Sequence, residues 1–317
     1  MSSGSRENTV KNGGNTEKST EREVKSSRSK RGLLFEEFWQ FTKNRKGKIG
    51  MCMLFGAVFL AVFAPYLVPY DPLSYYSEDE YVHHPPTWEY PLGTDVLGRD
   101  VYSQVLWGFR CALIISLPAA FIIGVVGTLV GLLGGYYSGV VDALLERVCV
   151  TFLVWPQIPL AALIIYSWGG YQFQIAIILA VAFVLWPTTA RAIRSEVKSL
   201  KTRTYIEAAK VAGASSFRII SAHIFPNIVH LTFLYMTMAV ASALVLEAGI
   251  DFLGMGNPGV VSWGQLLSVT MTGMGAYAGW WVIVPPGLAI GYMVLGFFLM
   301  SSAWKEVISP KIEQPWF

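Results

Sequence analysis

Six stretches of this chain are apolar over membrane length, and that leaves little for it to become except a bundle of transmembrane helices. They run over residues 49–69, 112–136, 144–167, 174–193, 227–250 and 281–303. A helix needs about 20 apolar residues to cross a hydrocarbon core of about 30 Å. Lipid offers no partner to an unpaired backbone N–H or C=O, so each stretch is expected to be helical. The third carries Glu146 and Arg147 near its start and Pro156 and Pro159 inside. Neighbouring helices can satisfy the carbonyls that a proline frees, so this stretch reads as one kinked span. The expectation is an all-α, polytopic membrane protein with six transmembrane helices.

Composition agrees. The chain is 53% hydrophobic and only 14% charged, against about 25% charged for a soluble domain. Twelve of the 24 Lys and Arg lie in residues 1–48, and residues 49–70 hold none. The net charge of +3 therefore follows from positive-inside topology and does not point to a nucleic-acid partner. Asp71 to Asp95 holds six acidic residues and no basic one, and residues 251–280 hold Asp251 and no basic one. Arg191 to Arg218 holds seven basic residues. Six crossings with both termini in the cytoplasm put the first two segments outside and the third inside, as the charge bias requires. Arg99 and Arg110 run against the bias, with Asp100 placed to offset one of them.

The chain divides accordingly. Residues 1–32 form a polar cytoplasmic tail, and 1–30 have too little to bury to stay ordered. Residues 33–70 hold a short amphipathic helix and the first span. In that helix Leu34, Phe38 and Phe41 share a face, with Lys43, Arg45, Lys46 and Lys48 behind. A headgroup surface suits this pattern, and a soluble partner would suit the same face. The polar lead is too long for a signal peptide's basic region, so the first span reads as retained. Residues 71–110 are extracytoplasmic, 111–304 form the transmembrane core with a cytoplasmic loop at 199–226, and 305–317 are a cytoplasmic tail.

That loop has its own grammar. Thr204 followed at the third position by Glu207 reads as a capping box, in which hydroxyl and carboxylate each satisfy an orphan N–H. The helix Tyr205 to Ala212 would stop at Gly213, which accepts positive φ without a Cβ clash. Ser215 or Ser216 would cap a second helix running to Phe225 and ended by Pro226. Two short helices joined at a glycine make a rigid knob, suited to force transfer, although an ordinary helical hairpin would show the same signals.

The residues Glu207-Ala208-Ala209, then Gly213 and Pro226, resemble the cytoplasmic "EAA" loop of ABC importer permeases. The resemblance extends along most of the chain, from about residue 45 to 310. Pro91-Leu92-Gly93-Thr94-Asp95 and Leu97-Gly98-Arg99-Asp100-Val101 resemble the "PLGTDxLGRDV" signature of the second permease of dipeptide and oligopeptide importers. Val141-Asp142 with Arg147 and Pro156 resembles their third-helix region. Glu247-Ala248, Asp251-Phe252-Leu253-Gly254 and Ser262-Trp263-Gly264 resemble the stretch after their fifth helix. Three positions depart from the pattern. His223 stands where the general motif has Ile, Val150 where many relatives have an acid, and Asp251 where Ser is usual, which would make the outer mouth more acidic.

The resemblance implies the type I ABC importer permease fold and a mechanism of alternating access. It implies partners: a second homologous permease, two ATP-binding cassette ATPases and an extracytoplasmic binding protein, all at the cell membrane. Tyr205, Glu207, Ala208, Ala209, Gly213, Phe217, His223 and Pro226 would form the ATPase-coupling loop. The contact would have an apolar centre from Tyr205, Ile206, Val211 and Phe217. Substrate stays open, since the same machinery serves peptides, oligosaccharides and nickel.

Other features weigh less. Glu247, an ionisable group near the outer end of a span, would line a gate or substrate path or else serve structural pairing. His230 reads as a packing or interhelical hydrogen-bonding residue. His83-His84 beside Asp79 and Glu80 lack the spacing of a preformed metal site and read as solvated loop. Cys52, Cys111 and Cys149 show no CxxC spacing and read as packing residues. The only Gly-Lys pair, Gly47-Lys48, has no phosphate-loop context, and neither GxSxG nor HExxH occurs, so no catalysis or cofactor is expected. An ion-driven transporter would need charged groups at mid-membrane, and apart from Glu247 the spans offer essentially none.

Overall fold

The computed structural model describes residues 41–74, 82–168, 173–257, 259–273 and 279–308. The expected tail at 1–32, the amphipathic helix apart from Phe41, and the last nine residues lie outside the described residues. So do Asp79 and Glu80.

The described chain is helical: α1 (Arg45–Leu67), α2 (Val101–Tyr136), α3 (Val140–Val154), α4 (Gln157–Trp168), α5 (Phe173–Lys201), α6 (Thr204–Val211), α7 (Ser216–Ile219), α8 (Phe225–Ile250), α9 (Trp263–Gly273) and α10 (Trp280–Ile308). Five rods are long and apolar enough to cross a membrane, and α3 with α4 supplies a sixth as a pair bent by 93°. The single kinked third span expected from the sequence is thus a break. Trp155 precedes Pro156 and takes φ −70°, ψ 140°, the extended region into which a following proline pushes its neighbour. Pro156 and Pro159 also remove two N–H donors from the turn, so no α-helical ladder can bridge it.

The helix α2 stands at the centre because it is stripped of side chains along one edge. Cβ atoms added at Gly127, Gly131 and Gly135 would lie 2.7 Å from Thr189 Cβ, 2.7 Å from the Ala190 carbonyl oxygen and 2.6 Å from Val197 Cβ. Glycines four apart let the backbones of α2 and α5 approach closely, the usual route to tight helix pairs in lipid. Thr128 and Thr232 share a hydrogen bond of 3.0 Å from α2 to α8. Against α1 lies α10, where the Tyr292 hydroxyl donates to the Met53 carbonyl at 2.9 Å and Lys46 pairs with Glu306.

The bundle has two ends. At the end carrying residues 199–226, hereafter the loop end, Asp142 accepts from Arg194 at 2.6 Å and from Lys198 at 2.7 Å. Glu146 pairs with Arg194 at 3.0 Å and Arg191 at 3.3 Å. The polar start of the third span is therefore held against α5 by charge.

At the far end, Asp95 is fully buried and accepts from Arg99 Nε at 2.8 Å and Gln104 Nε2 at 3.0 Å. This corrects the expected pairing, because Arg99 is neutralised by Asp95 and not by Asp100. Asp100 instead caps α2, accepting from Ser103 N at 2.8 Å and Tyr102 N at 3.3 Å. Burial pushes the Asp100 carboxyl above its ordinary range, and the bonds from Ser103 and Tyr102 partly offset that. Arg110 lies over the Trp107 ring at 5.5 Å.

Candidate functional site

Residues 199–226 form a compact projection whose apolar residues point two ways. Ile206, Ile219, Ile224 and Ile228 are buried and pack with Leu132, Tyr136, Ile193, Val197 and Leu200 from the ends of α2 and α5. Tyr205 is 45% exposed, Val211 90% and Phe217 81%. The expected apolar surface therefore loses Ile206, which serves as an anchor, and keeps the other three. Isoleucines inside a polar loop were the signal for that anchor. Lys201 adds a polar tie, donating to the Tyr136 carbonyl at 2.6 Å and Ser138 Oγ at 2.8 Å, where the α2 carbonyls end.

The local geometry departs from the sequence reading at its start. The N-cap of α6 is Arg203, which makes no side-chain bond to the helix. Thr204 lies inside the first turn, so the expected capping box with Glu207 does not form, and Glu207 is exposed. Burial of Ile206 sets the register that places Thr204 there. The exit follows expectation. Gly213 takes φ +80°, Ala214 N donates to Ala209 O and Gly213 N to Lys210 O, both at 3.0 Å. That pair of bonds is the Schellman arrangement. Ala208 is exposed and Ala209 half-buried.

Ser215 caps the next helix, accepting from Arg218 N at 3.4 Å. That helix is not separate from the fifth span, contrary to expectation. After α7 comes a π-helical turn, Ile220–Ile224, in which Phe225 N bonds back to Ile220 O, and α8 follows with Pro226 in its first turn. Pro226 continues the rod because the wider turn and the N-terminal position both dispense with its missing N–H. His223 and Pro226 are half-buried at this joint. Ser216–Met255 is thus one helical rod of 40 residues, about 60 Å long at 1.5 Å per residue, with Phe217 at its protruding tip.

The far end of the same rod holds Glu247. It is 4% exposed, as is Asp251 one turn on, so the expected acidic mouth is not formed by Asp251. The two carboxyls stand one helical turn apart on the same buried stretch, and the Ser262 hydroxyl donates to Asp251. Glu247 Oε1 and Asp251 Oδ1 have no partner among the described residues. Gly256 fits closely, since a Cβ there would stand 2.8 Å from Asp251 Cγ. Trp263 donates to the Val105 carbonyl at 2.9 Å. His83 is not a solvated loop residue: its Nε2 accepts from Gly279 N at 3.1 Å and its ring lies 5.0 Å from Trp281. Among the described residues no group of three or more His, Cys, Asp or Glu is placed to hold a metal ion.

The rod thus runs from an exposed tip through a membrane-length helix. The profile of the family described as "Binding-protein-dependent transport system inner membrane component" matches residues 127–314. The chain belongs to that family. A second profile, the N-terminal transmembrane domain of oligopeptide transport permease C, matches residues 34–86. Among relatives, a glutathione transport system permease protein of Pectobacterium atrosepticum is 31% identical over 88% of this chain and 92% of its own length. A di/tripeptide transport system permease protein of Pseudomonas aeruginosa is 32% identical over 88% and 92%. A dipeptide transport system permease protein of Haemophilus influenzae is 33% identical over 88% and 95%. The chain is therefore a multi-pass inner-membrane permease of an ABC transport system, a class that works with an ATPase and a binding protein. The rod belongs to a transport permease.

Proposed function

We propose that this permease is one of two homologous membrane subunits of an importer that carries dipeptides or oligopeptides by alternating access. Two ATPase subunits dock at residues 199–226, and a binding protein delivers substrate at the far end. The loop end is cytoplasmic, together with both termini, and the chain itself performs no catalysis. The peptide reading rests on the substrates named for its relatives and on the oligopeptide-permease match.

The observation that carries the coupling role is Phe217, 81% exposed on a rod whose base is anchored by Ile219 and Ile224. An aromatic side chain presented on a stiff support is the usual form of an interface anchor. ATPase closure pushes on Tyr205, Val211 and Phe217, and the rod passes that motion into the fifth span. Gly213 and Ala209 hold the hairpin's shape, while Glu207 and Lys210 ring the contact. Glu247 is assigned a structural role, buried beside Asp251 at the far-end hairpin rather than facing substrate.

The test is association. Tyr205→Ala with Phe217→Ala should lower co-purification of the ATPases more than Lys210→Ala does, with insertion unchanged. Equal retention in all three would remove the docking assignment. Orientation is read separately: in a cysteine-free background, an impermeant thiol reagent should label Val260→Cys from outside intact cells and leave Ser215→Cys unlabelled.

A further inference from the structure

Four spans meet around a cavity of about 470 Å³, a size within the usual range of small-molecule sites. Its polar groups are Gln157 from α4, Thr188 from α5 and Ser242 from α8, and its apolar walls include Leu185, Val245 and Val294. Leu185, Thr188 and Val294 lie near the middle of their spans, Ser242 and Val245 in the far half of α8, and Gln157 opens the second half of the span broken at Pro156. We propose that this cavity is the point on the transport path where the substrate's peptide main chain is held by hydrogen bonds.

The chemistry of the lining sets the ligand class. No charged side chain lines the cavity, so a desolvated ion would find nothing there to compensate it. Three neutral hydrogen-bonding groups from three different spans suit a neutral donor–acceptor pair, which is what a peptide amide presents. The carboxamide of Gln157 donates and accepts, and the Thr188 hydroxyl does both. Neither has a hydrogen-bond partner among the described residues, and both are exposed. Ser242 donates to the Met238 carbonyl of its own helix at 3.3 Å, leaving its oxygen free to accept. The remaining walls are apolar and read no particular side chain. That suits a carrier of many sequences, because the main-chain amide is the feature all of them share. A break in a span beside such a cavity is how membrane carriers commonly expose polar groups at mid-depth.

This proposal rests on the peptide reading above, and the test separates the two. The complete transporter, with its ATPases and binding protein, is reconstituted in lipid vesicles and given radiolabelled dialanine. Gln157→Leu with Thr188→Val should lower the maximal uptake rate at least about tenfold, while the ATPases still co-purify and Thr188→Ser restores uptake. Uptake by the double variant within about twofold of the wild type would overturn the site. Thr188→Cys in a cysteine-free background supplies a measurement independent of folding losses: saturating dialanine should slow its reaction with a small thiol reagent. Unchanged labelling overturns the site as well. Failure of the wild-type transporter to take up any di- or tripeptide, with uptake of another solute, overturns the peptide reading and this ligand assignment with it.

Discussion

The two ends of the fifth span use the same local device for opposite purposes. A π-helical turn stands at each end of α8, Ile220–Ile224 at the loop end and Asp251–Met255 at the far end. At the loop end the flanking residues Ile219 and Phe225 stay in the right-handed helical region, so the rod continues and its tip stays exposed. At the far end Gly254 turns to φ +77°, the rod stops, and Asp251 is buried beneath the returning α9. A π-turn does not by itself decide between a continuing rod and a closed hairpin. The decision lies in whether the next residues keep helical dihedrals and in what they bury.

This contrast is broken most severely at the far end. Gly264 sits against α8, where a Cβ would stand 2.3 Å from the Ala248 carbonyl oxygen. Backbone cannot rotate away as a side chain does, so Gly264→Ala should cost about 3 kcal/mol of stability, read by thermal unfolding in detergent. A loss well below 1 kcal/mol would mean that the hairpin is loosely held.

The carboxyl pair should come next. Asp251→Ala leaves the Ser262 hydroxyl without its partner at a buried site, an expected loss of about 2 kcal/mol. Glu247→Gln keeps the side chain's shape and removes a second acid from the buried site, and should cost under about 1 kcal/mol. The reverse order would show that Glu247 acts as a charge and that the structural assignment is wrong.

At the loop end the effects on stability shrink while those on transport grow. Gly213 has nothing within 4 Å of an added Cβ, so Gly213→Val suffers only from its positive φ, about 1–2 kcal/mol and local. Uptake should nevertheless fall sharply with the permease still inserted. The smallest change in stability is expected for Phe217→Ala, within about 0.5 kcal/mol because the ring is exposed, together with weakened ATPase association. Full transport in Gly213→Val would separate the hairpin's shape from coupling.

The sequence made the membrane class, the span positions and the glycine-turned loop at 199–226 legible, because each is written in local pattern. Apolar length announces a span, and Gly213 announces a turn wherever it stands. Expectations failed where a local signal met a tertiary partner, and three of them show how. The Thr204–Glu207 spacing fits a capping box, yet burial of Ile206 sets the helix start one residue away. Pro226 signals a helix end, yet the wider π-turn before it makes its N–H unnecessary. Asp251 reads as an exposed acid until Ser262 and Glu247 are brought to it.

What the chain determined alone is a count of crossings and the place of a glycine-turned loop, since hydrocarbon forces every backbone group to pair within its own helix. Whether the third span bends or breaks depended on what Trp155 and Pro156 meet together. The tight α2–α5 pair depended on Gly127, Gly131 and Gly135 falling opposite Thr189, Ala190 and Val197, residues about 60 positions away in the chain. The sorting of the loop's apolar residues into anchors and exposed tips followed the same logic. Ile206 and Phe217 are both apolar residues in a polar loop, and only the packed ends of α2 and α5 leave one a pocket and the other none.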